Sequence, residues 1–297
     1  MRLWYCDHHE IPLPPGHKFP MRKYALLRGL LEADSRFSLE PATAAHPDVI
    51  RLAHDPEYVT LFLSGMLPAA AMRRIGFPWS EGLVRRTLAS VGGTLAAAED
   101  ALTSGFGGTL AGGTHHAFRA EGSGFCVFND VAIAIHSLRS RGAVRRVAVI
   151  DLDVHQGDGT AHFFEDDPEV LTLSLHGAHN FPFRKQRSTI DVELPDKTED
   201  EEYLDALDAA LARVWEFEPE IAFYLSGVDA LASDLLGRLA LTQEGLKERD
   251  RKVIGGAHAR GIPLVVTLGG GYSNPIELTA EAHANTFRIA AEIFAAA

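Results

Sequence analysis

The stretch VAVIDLDVHQGDGT joins an apolar run to an unusual density of side chains that can bind a metal or move a proton. Its four apolar residues lead directly into Asp151, Asp153, His155 and Asp158. Because an unpaired charge is costly to bury, these groups need partners or a bound cation. If residues 147–154 form a strand, alternation of side chains makes the first two carboxylates and the imidazole project the same way. Asp153 and His155 can then offer a carboxylate oxygen and an imidazole nitrogen to one cation.

A second acidic stretch supplies the third ligand that such a site needs. Hydrolytic zinc sites typically take three protein ligands and leave a fourth position for water. In YLSGVDALASD, Asp229 follows an apolar strand and a flexible Ser-Gly turn, whereas the rival candidate Asp234 lies further from the strand end. A single aspartate after a strand is more often a helix cap or a turn residue. Three acids and a histidine within eight residues nevertheless favour a metal site.

Two adjacent histidines in LAGGTHHAF are candidates for proton transfer. His115 and His116 follow glycines that permit close backbone approach. One histidine alone is more often structural, but two on a loop after a strand favour a general base beside a water activated by a metal. Each needs an acidic partner that sets its tautomer and its pKa. Asp151 and Asp158 are the two acids of the first stretch that are not needed as ligands.

Three further motifs can shape the pocket around these groups. Tyr272 follows three glycines in VVTLGGGYSNP and can donate to a developing oxyanion, although a half-buried turn tyrosine is the alternative. Gly124 and Phe125 in GSGFCVFND indicate one wall, and Phe181 in HGAHNFPF indicates a second, aromatic wall. Cys126 is a weak candidate nucleophile, because apolar surroundings raise the pKa of a thiol and leave it inert.

The elements that must position these residues alternate along the chain. Near-continuous apolar runs, typical of parallel strands covered on both faces, are RLWYC, GGTLAGG, RRVAVIDLDV, EVLTLSLH, EIAFYLS and IPLVVTLGGG. Helical patterns occur between them, and two of these open with the candidate caps Ser80 and Thr242. This alternation predicts a single α/β domain over 1–297 with a mostly parallel sheet. Ligands of such folds bind outside the carboxyl ends of the strands.

Composition limits the class of protein. The chain has 297 residues, 40 of them acidic and 28 basic, for a formal net charge of −12. This balance argues against nucleic-acid binding and mildly favours cationic substrates or partners. No apolar run is long enough to span a bilayer, and the start of the chain lacks the layout of a signal peptide, so we expect no membrane partner. Because Cys6 and Cys126 are the only cysteines, we expect a reducing, cytoplasmic location.

Taken together, GGTHHA, GFCVFND, DLDVHQGDGT, GVDALASD and LGGGY resemble the zinc-dependent histone deacetylase superfamily, which includes acetoin-utilisation proteins and acetylpolyamine amidohydrolases. The motifs stand in family order from about residue 108 to 272. The segments HKFPMRKYALL and IGFPWSEGLVRRTLAS look most like the small class IV-like branch. The resemblance implies an arginase/deacetylase-like fold with helices on both faces of the sheet. Three glycines rather than four precede Tyr272, and Leu235 stands where proline is frequent, so the sequence departs from the family at the rim of the pocket.

The resemblance also implies a role for each motif residue. The implied ligands of Zn²⁺, with Fe²⁺ as the alternative metal, are Asp153, His155 and Asp229. The implied dyads are His115 with Asp151 and His116 with Asp158, beside the transition-state tyrosine Tyr272. The implied substrate tunnel consists of Gly124, Phe125 and Phe181. A structural K⁺ ion is implied at Asp151, Asp153, His155, Ser174 and Leu175.

The sequence therefore predicts a metal-dependent amidohydrolase that removes an acetyl or other acyl group from lysine or a small lysine-like amine. Acetylpolyamine hydrolysis and a catalytically silent acyl-lysine binding module are the alternatives. A hydrolase of guanidino compounds with the related arginase fold is a further rival, but the tandem histidines and LGGGY argue against it. The oligomeric state does not follow from the sequence.

Overall fold

Eight parallel strands form the sheet that organises the protein in the computed structural model, which describes residues 1–295. In chain order the strands are β1 (Arg2–Tyr5), β2 (Ser38–Pro41), β3 (Phe106–Thr109), β4 (Val147–Asp151), β5 (Val170–Gly177), β6 (Ile190–Leu194), β7 (Ile221–Leu225) and β8 (Leu264–Thr267). Their spatial order is β2-β1-β3-β8-β7-β4-β5-β6, and every adjacent pair is parallel. The predicted parallel sheet is confirmed.

Helices connect the strands and cover the sheet. In chain order they are α1 (Arg22–Glu32), α2 (Pro47–Ile50), α3 (Pro56–Leu63), α4 (Ala69–Ile75), α5 (Glu81–Ser104), α6 (Asp130–Ser140), α7 (Asp158–Phe164), α8 (Asp200–Glu216), α9 (Gln243–His258) and α10 (Glu277–Ala295). The predicted caps are confirmed: the Ser80 hydroxyl accepts from Leu83 N–H, and the Thr242 hydroxyl accepts from Gly245 N–H, both at 3.0 Å. None of the described helices combines the length and apolar composition that crossing a bilayer requires.

The central strand β4 shows why the sheet needs helices on both faces. Val147 and Val149 pack into one core together with residues of α5 and α6. Ala148 and Ile150, which point the other way, pack into a second core with residues of α8, α9 and α10. A strand that is buried on both faces must be apolar throughout, which is the pattern that predicted it.

Two features of the sheet differ from the sequence prediction. The strand predicted over 147–154 ends at Asp151, so its later residues belong to a loop rather than to the strand. The edge strands β2 and β6 were not predicted, because SLEP and IDVEL carry polar residues on exposed positions. An edge strand is paired on one side and partly open to water, so it does not need a continuous apolar run.

A buried ion pair supports the floor beneath the carboxyl edge of the sheet. Arg249 in α9 is fully buried, and its guanidinium lies 2.8 Å from the Asp250 carboxylate. The same guanidinium donates to the carbonyl oxygens of Gly227 and Leu152, in the loops after β7 and β4. The hydroxyl of Tyr224 donates to the Asp250 carboxylate. This pair therefore fixes the backbone of two loops that carry acidic side chains.

Replacing Arg249 by Met should lower the free energy of unfolding by about 3–5 kcal/mol, because it leaves the Asp250 carboxylate buried without its cation. Urea denaturation followed by circular dichroism measures this loss. The double variant Arg249→Met/Asp250→Asn should lose less than the single variant, because neither charge then remains unpaired. A single variant within about 0.5 kcal/mol of the parent protein would contradict a structural role for the pair.

Candidate active site

The carboxyl ends of the strands bring the predicted chemical residues to one cavity of about 570 Å³. His115 and His116 come from the loop after β3, Asp153 and His155 from the loop after β4, and Tyr272 from the loop after β8; all five line the cavity. In a parallel sheet these ends meet at the same edge, so residues far apart in sequence become neighbours. The residues are therefore brought together as the strand-end interpretation expected.

Three side chains converge on one point beside this cavity. Donor atoms of Asp153, His155 and Asp229 all lie within 4.8 Å of one another. The Nδ1 atom of His155 is 2.9 Å from an oxygen of Asp153 and 3.1 Å from an oxygen of Asp229. Both carboxylates are buried, and burial together with the charge of Asp153 raises the pKa of Asp229. Two buried carboxylates and an imidazole form a donor set that fits Zn²⁺ or Fe²⁺, since a divalent cation would relieve the repulsion between the acids.

The backbone around the cluster orients the two carboxylates. Gly270 N–H donates to Asp153 Oδ2 at 2.5 Å, and Val154 N–H donates to Asp229 Oδ1 at 2.9 Å. A side chain at Gly270 would place its Cβ 1.8 Å from Asp229 Oδ2, so only glycine permits this approach. A Cβ at Gly227 would lie 2.6 Å from Asp153 Oδ2. Hydrogen bonds of this kind fix the orientation of metal-binding side chains and tune their basicity.

Asp234, the rival ligand candidate, makes a different set of contacts. It is absent from the cluster found among the described residues, which contains Asp229 instead. Its Oδ1 accepts from the N–H groups of Leu236 and Gly237, and its Oδ2 accepts from Tyr272 N–H at 2.6 Å. Asp234 therefore joins the loop after β7 to the loop that carries the tyrosine. This role was missed because the hydrogen bond joins segments that are far apart in sequence.

Each of the tandem histidines is paired with a different carboxylate. His115 Nδ1 donates to Asp151 at 2.6 Å, and His116 Nδ1 donates to Asp158 at 2.7 Å; all four groups are buried. These are the two pairs that the family resemblance implied. Each bond leaves the Nε2 atom of the ring as the nitrogen that can face a substrate.

The two histidines differ in their protonation. Burial lowers the pKa of His115, but the carboxylates of Asp151 and Asp153 outweigh it and raise the pKa to about 9. Burial and the neighbouring charge of His115 lower the pKa of His116 to about 4, in spite of Asp158. The rings are 4.1 Å apart, so a proton on one disfavours a proton on the other. This separation of pKa values favours a neutral His116 beside a protonated His115 at neutral pH.

The wall residues lie around the entrance to these groups. The Phe181 ring is 4.9 Å from the His116 ring and nearly perpendicular to it. Gly124 has a φ of 53°, and a Cβ there would lie 2.7 Å from the His116 ring and 3.5 Å from the Phe181 ring. Phe125 also lines the cavity, with its ring 6.5 Å from that of Tyr272. Cys126 is buried in the same wall, and burial raises the pKa of its thiol well above the usual value, which disfavours a nucleophile.

The residues implied for a potassium ion lie at the end of β4, in the loop after it and in the adjacent strand β5. Ser174 in β5 is paired in register with Asp151, and its hydroxyl is 3.0 Å from Nδ1 of His176. Leu175, the next residue of β5, is fully buried. The structure thus brings Ser174 beside Asp151, and the role of these residues in holding K⁺ stays a prediction.

The cavity also contains buried cations that the sequence interpretation did not identify. Lys23 in α1 and Arg86 in α5 line it as well. Lys23 Nζ donates to Gly269 O at 3.0 Å, in the loop after β8. Lys23 belongs to HKFPMRKYALL and Arg86 to IGFPWSEGLVRRTLAS, but nothing in the local pattern of either segment indicates that these side chains face the site.

Comparison with known proteins agrees with this geometry. A family model described as "Histone deacetylase domain" matches residues 17–289. An uncharacterized protein of Picosynechococcus sp. is 43% identical over 98% of this chain and 98% of its own length. The acetoin utilization protein AcuC of Bacillus subtilis is 33% identical over 90% of this chain and 74% of its own length. The crystal structure of an HDAC homolog from Aquifex aeolicus superposes with a TM-score of 0.81 and 24% identity, covering 97% of this chain and 83% of that chain, which supports the fold.

Adding Zn²⁺ to the metal-free protein should raise its thermal unfolding temperature, because the cation neutralises the carboxylates of the cluster. At 1,000 times the dissociation constant the stabilisation should be about 4 kcal/mol. The variant Asp229→Asn should lose most of this shift, and its metal-free form should be no less stable than the metal-free parent. Asp234→Asn is the matched control and should keep the shift. Differential scanning fluorimetry measures all three proteins, and an unchanged shift in Asp229→Asn would refute the assignment of the cluster.

Proposed function

Because the chain belongs to the histone deacetylase family, we propose that it hydrolyses the amide of an N-acylated lysine or a related small acylated amine and releases a carboxylate. We take residues 1–297 as one catalytic domain. The observation that carries the proposal is the convergence of two histidine–carboxylate pairs, a three-ligand cluster and a tyrosine on one cavity. Proton transfer, electrophilic activation and oxyanion stabilisation are the three requirements of amide hydrolysis.

The proposed metal is Zn²⁺, with Fe²⁺ as the alternative, held by Asp153, His155 and Asp229. When bound, such a cation polarises a carbonyl and makes a water molecule more acidic at neutral pH. Their burial and the backbone donors to both carboxylates support this assignment. A structural K⁺ at the implied residues of β4, its following loop and β5, and a cytoplasmic location, remain part of the proposal. The latter is supported by the two cysteines, which are both free.

His116 is the proposed general base. Its low pKa keeps the imidazole neutral, and its bond to Asp158 leaves Nε2 free to accept a proton from the attacking water. The protonated ring, stabilised by Asp158, then donates to the nitrogen of the leaving amine. His115 is held as a cation by Asp151 and contributes mainly electrostatically, or shares the proton transfers. Carboxylates in such pairs hold the ring and stabilise its charge without becoming protonated themselves.

Tyr272 is the proposed donor to the oxyanion. Burial raises the pKa of its phenol well above the usual value, so the hydroxyl keeps its proton for donation. The bond from its backbone N–H to Asp234 fixes the position of the residue relative to the cluster. Gly124, Phe125 and Phe181 form the walls that enclose the stem of the acylated amine and exclude water from it. An apolar wall suits a lysine side chain, whose stem is apolar between two polar ends.

Tyr272→Phe should lower turnover of an acetyl-lysine peptide by about 10²–10³-fold, because one preorganised oxyanion donor is lost. Zinc content, measured by mass spectrometry, should stay at the parent level, since the phenol is outside the cluster. Unchanged turnover would remove the tyrosine from the mechanism. Binding of the peptide without any cleavage by the zinc-loaded parent protein would instead indicate a silent acyl-lysine binding module.

Asp234→Asn should lower turnover by about 10- to 100-fold, because an asparagine that still accepts from Leu236 and Gly237 turns an N–H group toward Tyr272 N–H. Positioning through the tyrosine predicts a specific non-additivity. In the Tyr272→Phe background the same change should have a much smaller effect, since there is no hydroxyl left to position. Equal losses in both backgrounds would show that Asp234 acts by another route.

A further inference from the structure

We propose that the inner end of the cavity is a carboxylate-binding chamber, so that the enzyme favours acyl groups that end in a second carboxylate, such as succinyl and glutaryl. The inference rests on the proposed function and names the class of acyl group for the same site. We define the inner chamber by Lys23, Tyr24, Thr87, Arg86 and Ser90, which line the cavity on the side of α1 and α5.

The first observation is a buried lysine without a counter-charge. Lys23 is 2% exposed, and its one hydrogen bond is to the carbonyl oxygen of Gly269. No carboxylate of the described residues lies within ion-pair distance of its ammonium group. Burial lowers the pKa of Lys23 to about 8, although the more distant charges of Asp229, Asp153 and Asp234 oppose this. The ammonium group is therefore still mostly protonated at neutral pH.

The second observation is a buried arginine that also has no carboxylate partner. Arg86 is 6% exposed, forms no ion pair with the described carboxylates, and has a buried Nη1 atom with no hydrogen-bond partner. Its guanidinium carbon lies 4.4 Å from the centre of the Tyr24 ring, and Lys23 Nζ lies 5.3 Å from the same centre. Two cations thus flank one aromatic ring, and each makes the other more costly to bury.

The charges elsewhere in the cavity make this arrangement unusual. At the mouth, Arg74 is paired with Glu121, and Arg238 is paired with Asp196. These arginines are half-exposed, so water would solvate them even without a partner. Lys23 and Arg86 are instead buried, and no carboxylate of the described residues forms an ion pair with either of them. Asp153, which belongs to the metal cluster, is the one carboxylate among the described lining residues.

A ligand carboxylate would supply the missing counter-charge. Guanidinium and carboxylate groups form bidentate hydrogen bonds that are stronger than neutral ones, and a lysine ammonium adds a second charge. The hydroxyl groups of Thr87 and Ser90 line the same chamber and can donate as well. Since a neutral acyl group would leave both cations unpaired, a carboxylated acyl group has the larger gain on binding.

The position of the chamber connects it to the acyl side of the substrate. Lys23 Nζ lies 5.6 Å from the centre of the Tyr272 ring. The hydroxyl of this tyrosine donates to the oxyanion in the proposed mechanism. Phe181 lies beside Gly124 and is 37% exposed, so in the proposed mechanism the amine side of the substrate leaves the cavity there. The acyl chain therefore extends from the carbonyl toward the inner chamber, where a short dicarboxylic chain brings its second carboxylate near both cations.

The test compares acyl groups of matched length on one lysine peptide. The zinc-loaded protein is assayed with acetyl, butyryl, succinyl and glutaryl peptides, and kcat/KM is measured for each. Succinyl should exceed butyryl by about tenfold or more, as expected for a charged hydrogen bond against none. A ratio of one or less overturns the inference, whatever the variants show. If no peptide, including acetyl-lysine, is cleaved, the proposed function itself fails.

Variants of α5 test whether Arg86 causes the preference for succinyl over butyryl peptides. Arg86→Met should lower the ratio of succinyl to butyryl by about tenfold or more, and Arg86→Lys should keep an intermediate ratio. Arg85→Met is the matched control, because Arg85 is exposed, pairs with Glu81 and does not line the cavity. It should leave the ratio unchanged. An equal fall in both methionine variants would contradict the inference.

A released product is the other source of a carboxylate in the chamber. Inhibition by free acetate and by free succinate is therefore measured on the parent protein and on Arg86→Met. If the variant weakens inhibition by both acids but keeps the parent ratio of succinyl to butyryl, the chamber holds the released product and the inference is wrong. Loss of the preference together with weaker inhibition by succinate supports it.

Discussion

The site depends on one constraint: the buried aspartates at the carboxyl edge of the sheet need partners that compensate their negative charge. Four aspartates lie within or just beyond the ends of β4 and β7, and all are buried: Asp151, Asp153, Asp158 and Asp229. A buried carboxylate is tolerated when it is paired and hydrogen-bonded. Two of them hold the tandem histidines, and the other two converge with His155 on a point that suits a divalent cation. The need for partners therefore explains why these residue types stand together.

This compensation links loops that follow different strands. The carboxylate of Asp153 accepts from the loop after β8, that of Asp229 accepts from the loop after β4, and that of Asp234 accepts from Tyr272. Each bond joins segments that are distant in sequence, so no single loop can move without losing a contact in another. Beneath them, the guanidinium of Arg249 donates to the backbone of two of these loops. The same carboxylates that form the candidate site therefore also hold its loops in place on the sheet. Preorganised sites require such fixed positions.

Positive charge in the same cavity is distributed differently. Cations at the mouth are half-exposed and have carboxylate partners, whereas Lys23 and Arg86 at the inner end are buried and have no carboxylate partner among the described residues. The chain as a whole carries a net charge of −12, which by itself favours cationic partners. The inner end of the cavity has the opposite preference. The net charge of the chain therefore influences which partners approach its surface. The charges of the residues that line the inner end of the cavity influence which group binds there.

Much of the fold follows from residue patterns alone. Apolar runs predicted β1, β3, β4, β5, β7 and β8, and all of these except β1 are buried at every position, as strands covered on both faces must be. The edge strands β2 and β6 were not predicted, since both carry exposed polar residues. The strand predicted to continue to residue 154 ends at Asp151, because Asp151 and Asp153 accept hydrogen bonds from backbone N–H groups two residues further on and bend the chain there.

The sequence by itself determined which groups can do chemistry: the tandem histidines, the acidic run after β4, the aspartate after β7 and the tyrosine on its glycine loop. The types and the spacing of the residues are enough to identify these groups, because each motif is a short continuous segment of the sequence. Tertiary structure alone decided that Asp234 holds Tyr272 rather than a metal, and that Lys23 and Arg86 face the same chamber. The physical reason is that hydrogen bonds and charge–charge interactions depend on distances between segments that only the folded sheet brings together. The hydrophobic periodicity of a single segment carries no information about those distances.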